Sequence, residues 1–412
     1  MNKDAVKQKT SLFSVFFTFA VDNLGATIVF PIFAPLFLNS SQKLFGPDIP
    51  MSYKTTMLGI FLGIYPLMQF IFSPILGEYA DHHGRKRALL LTTFLTFIGY
   101  LMSAWSIHHH TLIGIFISRL IMGIGAGNLS ICLSTLSDLS PGPRKKERYF
   151  SYGSAIAGFT FILGPFVGGK LSDPTINPLF SAAFPMLIGG ILGIANVLFI
   201  LFAFAETLER KSTTPFDFIK GIHNIQMALK TETIRPLYLI YFFYLFSWNI
   251  IFLFVPAFVV QNFHLSNSRI GDICAILGVC WIFGTGVLHR ILNRTLSSKG
   301  ILLGSFVFFA AMVVFVPYPH HLHTFLYIIG GCTILSGLIW PLCTGAISNA
   351  APSQIQGKVM GLSQSMLSLT MLLASLLGGV FLHAHSMVPF VFSSLSVLIA
   401  AALLLKTKLI SK

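Results

Sequence analysis

The chain is 412 residues long, 54% apolar and only 10% charged, with 41 phenylalanines and a formal net charge of +14. A water-soluble globular domain carries about a quarter charged residues, so composition excludes that class and points to an integral membrane protein. All five cysteines (Cys132, Cys274, Cys280, Cys332, Cys343) fall in apolar runs, which argues against a disulfide framework and for apolar packing.

A lipid-spanning helix needs about 20 apolar residues and must satisfy its backbone internally. Twelve such runs predict twelve helices, at 10–38, 53–77, 87–107, 111–137, 149–171 and 179–205, then 235–261, 268–292, 300–316, 323–349, 354–383 and 387–405. The first run contains Asp22 and is too long for a signal-peptide core, so it is expected to be retained.

With the N-terminus inside, 22 of the 27 Lys and Arg residues fall on one side, four (Lys43, Lys54, Lys170, Arg269) on the other, and Arg119 within a helix. This is the positive-inside asymmetry, so the charge encodes topology and no nucleic-acid partner is expected. Residues 1–206 are expected to form one six-helix bundle, 207–234 a polar cytoplasmic linker and 235–412 a second bundle. The fold class is thus an all-α integral membrane protein of two pseudo-symmetric halves, a monomer in the cell membrane with both termini cytoplasmic. Short loops leave no room for a soluble catalytic domain. No Gly-x-x-x-x-Gly-Lys-Ser/Thr run is present, so neither ATP-driven pumping nor enzymatic activity nor a cofactor is expected.

In chain order, Asp22 lies about twelve residues into the first helix, ~18 Å deep at the helical rise, and Arg119 enters the fourth helix from the opposite face to ~12 Å. The two depths overlap. An ionisable side chain there costs at least ~2.5 kcal/mol on insertion scales, which makes the pair a candidate proton-coupling site; a structural salt bridge is the alternative. A carboxylate that alternates between a desolvated setting and one beside a cation would bind and release a proton in each cycle. Asp272, one turn into the eighth helix, is a weaker second proton site or is simply solvated.

Gly77-x-x-x-Asp81-x-x-Gly84-Arg85-Lys86-Arg87 is the densest charge cluster. Gly77 and Asp81 share a helix face, and the start of the eleventh helix near residues 352–357 offers a partial positive charge to hold Asp81. The stretch is a candidate cytoplasmic gate, or else a topology anchor. In the fifth helix, Gly164-Pro165-Phe166-Val167-Gly168-Gly169 combines glycines that permit close helix approach with a proline that permits bending; packing alone is the alternative.

Asn23, Gln69, Trp248, Asn249, Trp340 and Gln364 sit within apolar helices. As a set of amides and indoles they suit a cavity for a small, partly apolar organic substrate, although each singly also fits a helix contact. Nine histidines (His108, His109, His110, His264, His320, His321, His323, His383, His385) fall on the expected outer side. They are read as interfacial residues in preference to a pH sensor or metal site, because no carboxylate or Cys completes a ligand set.

Several of these patterns resemble a known family. The Gly77 to Arg87 stretch resembles the loop signature of the major facilitator superfamily between its second and third helices. Asp22-x-x-Gly25-x-x-x-x-x-Pro31-x-x-x-Pro35 and Arg119-x-x-x-Gly123-x-Gly125-Ala126-Gly127 resemble the first- and fourth-helix patterns of tetracycline and multidrug proton antiporters, with Met122 where a Gln is common. The Gly164 to Gly169 run resembles the core of the antiporter signature, with Ser151 and Thr160 where longer versions have glycines. Ser137 to Pro141 and Glu147 to Phe150 are similar to the family's fourth-to-fifth loop.

The resemblance implies the major facilitator fold, alternating access around a midplane site, proton coupling at Asp22 modulated by Arg119, and a bacterial inner membrane. The expected function is proton-coupled export of small amphiphilic or cationic organic compounds, with the substrate, protons and the bilayer as partners. The alternatives are a proton-coupled symporter or uniporter importing a polar metabolite or metal chelate, and a non-transporting receptor or scaffold.

Overall fold

A computed structural model describes residues 3–39, 44–46, 48–140, 142–208, 234–350, 356–384 and 387–407. The 209–233 part of the expected linker, residues 352–355 of the helix start expected to hold Asp81, and His385 lie outside the described residues. Among the described residues, regular structure is helical throughout, and twelve stretches are long and apolar enough to cross a membrane.

The first six spans are built from α1 (Lys3–Thr27), α2 (Phe30–Leu38), α3 (Met51–His83), α4 (Arg85–His108), α5 (Leu112–Gly125), α6 (Asn128–Asp138), α7 (Pro143–Leu171) and α8 (Phe184–Ala203). The remaining six comprise α9 (Arg235–Phe263), α10 (Asn267–Phe283), a π turn (Gly284–Leu288), α11 (His289–Leu292), α12 (Ser298–Phe315), α13 (Leu322–Ala350), α14 (Gln356–Ala384) and α15 (Val388–Lys406).

Three spans are interrupted where continuous helices were expected. The first breaks at residues 28–29, because Pro31 has no N–H with which to continue the ladder. The fourth breaks at Ala126 and Gly127, amid glycines of low helix propensity, and the eighth passes through the π turn. Conversely, α3 runs through to His83 instead of ending near Gly77. Leu76 and Ala80 belong to a buried apolar cluster, so packing carries the helix through the charged stretch. Only Gly84, at a φ of 105°, separates α3 from α4, a conformation that suits glycine because it has no Cβ.

Contacts group the chain into two compact units, Met1–Leu36 with Ile64–Gly221 and Phe37–Gly63 with Ile222–Lys412. The first has a core in which Val15 and Phe19 of α1 meet Leu76 of α3, Leu89 of α4, Ile131 and Leu136 of α6 and Ile200 of α8. Thr18 Oγ1 donates to Asn196 Oδ1 at 2.9 Å inside this unit, joining α1 to α8. In the second unit α9 is the most enclosed span. Polar side chains staple it to three neighbours: the Tyr244 hydroxyl donates to the Ser336 carbonyl of α13 at 2.9 Å, Asn249 Nδ2 donates to Thr370 Oγ1 of α14 at 3.1 Å, and the Ser247 and Ser393 hydroxyls lie 2.7 Å apart between α9 and α15.

Candidate functional site

α1 carries Asp22 to within two turns of the break at residues 28–29. There it borders a small cavity of about 10 Å³, lined also by Gly25, Tyr65, Thr96, Tyr100, Met122 and Ala126, which is close to the space of one water molecule. The break between α5 and α6 sets Asn128, a fully buried amide, at the first position of α6 in the neighbourhood of Asp22. Neither amide atom of Asn128, nor Asp22 Oδ2, nor the Tyr100 hydroxyl completes a hydrogen bond. Gly25 and Gly189 make room for Tyr100, whose ring a Cβ at either position would strike.

Arg119 is 2% exposed. Its guanidinium carbon lies 4.7 Å from the centroid of the Tyr65 ring and 5.2 Å from that of Phe33, so two aromatic faces hold the charge where a desolvated cation–π contact is worth about 2 kcal/mol or more. Among the described residues no ion pair joins Arg119 to Asp22, and Arg119 Nε and Nη1 complete no hydrogen bond. Tyr65 links the two residues, since its ring carries Arg119 while its side chain borders the Asp22 cavity. The chemical outcome is a half-buried carboxylate with one enclosed oxygen and a buried guanidinium in one neighbourhood, with no ion pair between them among the described residues.

At the far end of α3 the charged stretch forms a second polar assembly. Arg85 Nη1 donates to Asp81 Oδ1 at 2.6 Å, and Arg85 Nε donates to Asp138 Oδ2 at the end of α6 at 3.0 Å. Glu206 accepts the Arg85 and Lys86 backbone N–H groups at 2.8 and 3.1 Å. It therefore caps α4, placing a carboxylate against the positive end of that helix.

A family model described as Major Facilitator Superfamily matches residues 15–335 and 237–410. The chain belongs to the major facilitator superfamily. This transporter is 27% identical to the class H tetracycline resistance protein of Pasteurella multocida over 376 residues, covering 89% of this chain and 87% of that one. It is 25% identical to the class B tetracycline resistance protein of Escherichia coli over 371 residues, with the same coverage of 89% and 87%. The crystal structure of the human organic anion transporter MFSD10 shares its fold, with a TM-score of 0.69 at 19% identity over 96% of this chain and 99% of that one.

In the transporter, α7 meets α1 just beyond Asp22. A Cβ on Gly168 would lie 2.5 Å from the Ile28 carbonyl oxygen, and one on Gly164 would strike the Thr27 hydroxyl. The Gly164, Pro165, Gly168 and Gly169 run thus clamps α7 to the end of the helix that carries Asp22. Asn23 turns its amide back to the Phe19 carbonyl of its own helix at 2.8 Å, and Gln69 donates to the Ala126 carbonyl at the α5–α6 break at 3.4 Å. In the second unit Trp248 stacks on Phe252 with centroids 5.7 Å apart, and Trp340 Nε1 donates to the Tyr241 hydroxyl at 3.0 Å. Gln364 is half-buried on α14, and Asp272 is half-buried in the second turn of α10. Gly77 faces Ser130, Asp81 is 44% exposed in its side chain, and Lys86 and Arg87 project further outward than the buried Arg85.

Tyr65, Tyr100, Asn128 and Glu206 were not anticipated as parts of these sites. Asn128 had a usable signal, as an amide directly after the Gly123 to Gly127 run that breaks its span. Glu206 had one as a carboxylate at the end of the sixth span.

Proposed function

We propose that the transporter exports small amphiphilic or cationic organic compounds in exchange for protons, with Asp22 as the proton carrier and Arg119 modulating it. The observation that carries this is the Asp22 carboxylate itself, half-buried beside a small, mainly apolar cavity with one enclosed oxygen unpartnered and, among the described residues, no ion pair to Arg119. Such an oxygen is an acceptor that a proton, or the cationic group of a substrate, can occupy in alternation. The similarity to tetracycline resistance proteins supports the substrate class and the direction.

Transport would proceed by alternating access, with the halves 1–206 and 235–412 moving about a midplane site and the Arg85 cluster acting at the cytoplasmic gate. Asn23, Gln69, Trp248, Asn249, Trp340 and Gln364 would line the substrate path. Both termini would be cytoplasmic, in a bacterial inner membrane, and the working unit would be the monomer. A second possibility, import of a polar metabolite or metal chelate, is favoured by the two unpartnered Arg119 nitrogens, which suit an anionic group.

Inside-out vesicles loaded with the transporter separate these. Tetracycline, as the probe, should accumulate when the interior is acid and stop when a protonophore collapses the gradient. Accumulation that ignores the gradient, or flux only in the opposite sense, would reject proton-driven export; no flux for any of a panel of cations, anions and chelates would favour a receptor or scaffold.

A further inference from the structure

Away from the Asp22 site, the second unit contains an open cavity of about 370 Å³ lined by Thr285, Gly286, His289, Arg290, Asn293 and Arg294. We propose that it binds the phosphate-bearing headgroup of an anionic phospholipid.

The cavity lies where the 267–292 span ends, at the level where a helix leaves the apolar layer. Its shape originates in the π turn. Gly284 packs directly on the Ile334 carbonyl of α13, Gly337 of α13 packs on the Trp281 carbonyl, and Thr285 Oγ1 donates to the Trp281 and Gly337 carbonyls at 3.0 and 2.9 Å. These contacts anchor the turn and occupy the Thr285 hydroxyl. Short π turns are concentrated at functional sites. Beyond it, Gly286, Arg290 and Arg294 recur every four residues and form one strip. Phe283, Val287 and Ile291 recur with the same spacing on the adjoining strip and are exposed. A cationic strip beside an exposed apolar one matches a molecule with an anionic head and acyl chains, whereas a soluble phosphate has no use for the second strip.

Charge balance points the same way. From residue 234 to the C-terminus, Asp272 is the only carboxylate side chain, and it precedes Arg290 by a distance of about 27 Å along a helix. No ion pair involves Arg290 or Arg294 among the described residues. Their planar forks are suited to bidentate contact with phosphate oxygens, and basic pockets at this height are suited to anionic headgroups. His289 and Asn293 can add hydrogen bonds.

The test is native mass spectrometry of the full-length transporter, delipidated and then offered equal amounts of phosphatidylglycerol and phosphatidylcholine. The wild type should retain phosphatidylglycerol preferentially, and that preference should fall by about fivefold for each of Arg290→Gln and Arg294→Gln, the value of one basic residue at an anionic surface. The single variants are measured beside the double one, so that a folding defect in the latter does not hide the effect. Lys145→Gln with Lys146→Gln removes the same charge from the exposed start of α7 and should leave the preference intact. Equal retention by wild type and the arginine variants would overturn the site. Displacement of phosphatidylglycerol by inorganic phosphate would reassign it to a soluble anion and overturn the lipid.

Discussion

Arg119 shows how a charge is held in the apolar layer by aromatic rings, with no carboxylate partner among the described residues. Its contacts with Tyr65 and Phe33 predict that Tyr65→Leu lowers stability by about 2 kcal/mol through loss of a desolvated cation–π contact, read as the shift in thermal unfolding in detergent; an unchanged midpoint would show that the rings do not hold the guanidinium. Arg85 makes a contrasting case. It bridges Asp81 and Asp138 while largely buried itself, so Arg85→Ala should cost about 2–3 kcal/mol as charged hydrogen bonds are lost. Asp81→Asn should cost less than about 1 kcal/mol, because that carboxylate is solvent-screened. Equal effects in unfolding experiments would mean that Asp81 has a further partner. Asp22 and Arg119 were legible in the sequence because the membrane makes ionisable side chains scarce. Tyr65 and Tyr100 were not, because nothing in one dimension separates them from the other tyrosines of an aromatic-rich chain.

At the scale of elements, the twelve spans could be read from hydropathy alone, since each must satisfy its own backbone. The interruptions could not. Pro31 marked the first, and the glycines of 123–127 permit the second, but the same glycines bring α5 and α6 against α3 and α4, and where among them the helix breaks is set by that packing. Likewise, the apolar run alone placed the end of the second span near Gly77, whereas the burial of Glu78 and Ala80 accompanies a helix that continues to His83. The glycine clamp between α7 and α1 yields a paired prediction. Gly168→Ala should destabilise by about 1–3 kcal/mol, because the atom in its way is a backbone oxygen that cannot rotate aside. Gly304→Ala in α12 has nothing within 4 Å of the added carbon and should be neutral or stabilising by up to about 1 kcal/mol from helix propensity. Thermal unfolding of both variants decides; indifference at Gly168 would remove the clamp.

For the whole molecule, the family and its membrane-spanning architecture were accessible from ordered motifs, because Asp22, Gly77 to Arg87, Arg119 and Gly164 to Gly169 occur in the expected sequence along the chain. The partners of those motifs were less accessible: Glu206 caps α4 from 121 residues beyond Arg85 in the chain, a pairing that only the fold creates. The same holds for Asn128 beside Asp22. Proton coupling through that carboxylate is tested most directly in proteoliposomes that enclose a pH-sensitive dye, with tetracycline added and the wild type compared with Asp22→Asn. Substrate movement in the wild type should be accompanied by proton movement in the opposite sense, and the variant, which keeps the side-chain shape but cannot exchange a proton, should lose gradient-driven flux by at least about two orders of magnitude, as expected when an essential proton-transfer group is removed. Undiminished, gradient-driven exchange in Asp22→Asn would contradict the assignment of Asp22 as the proton carrier.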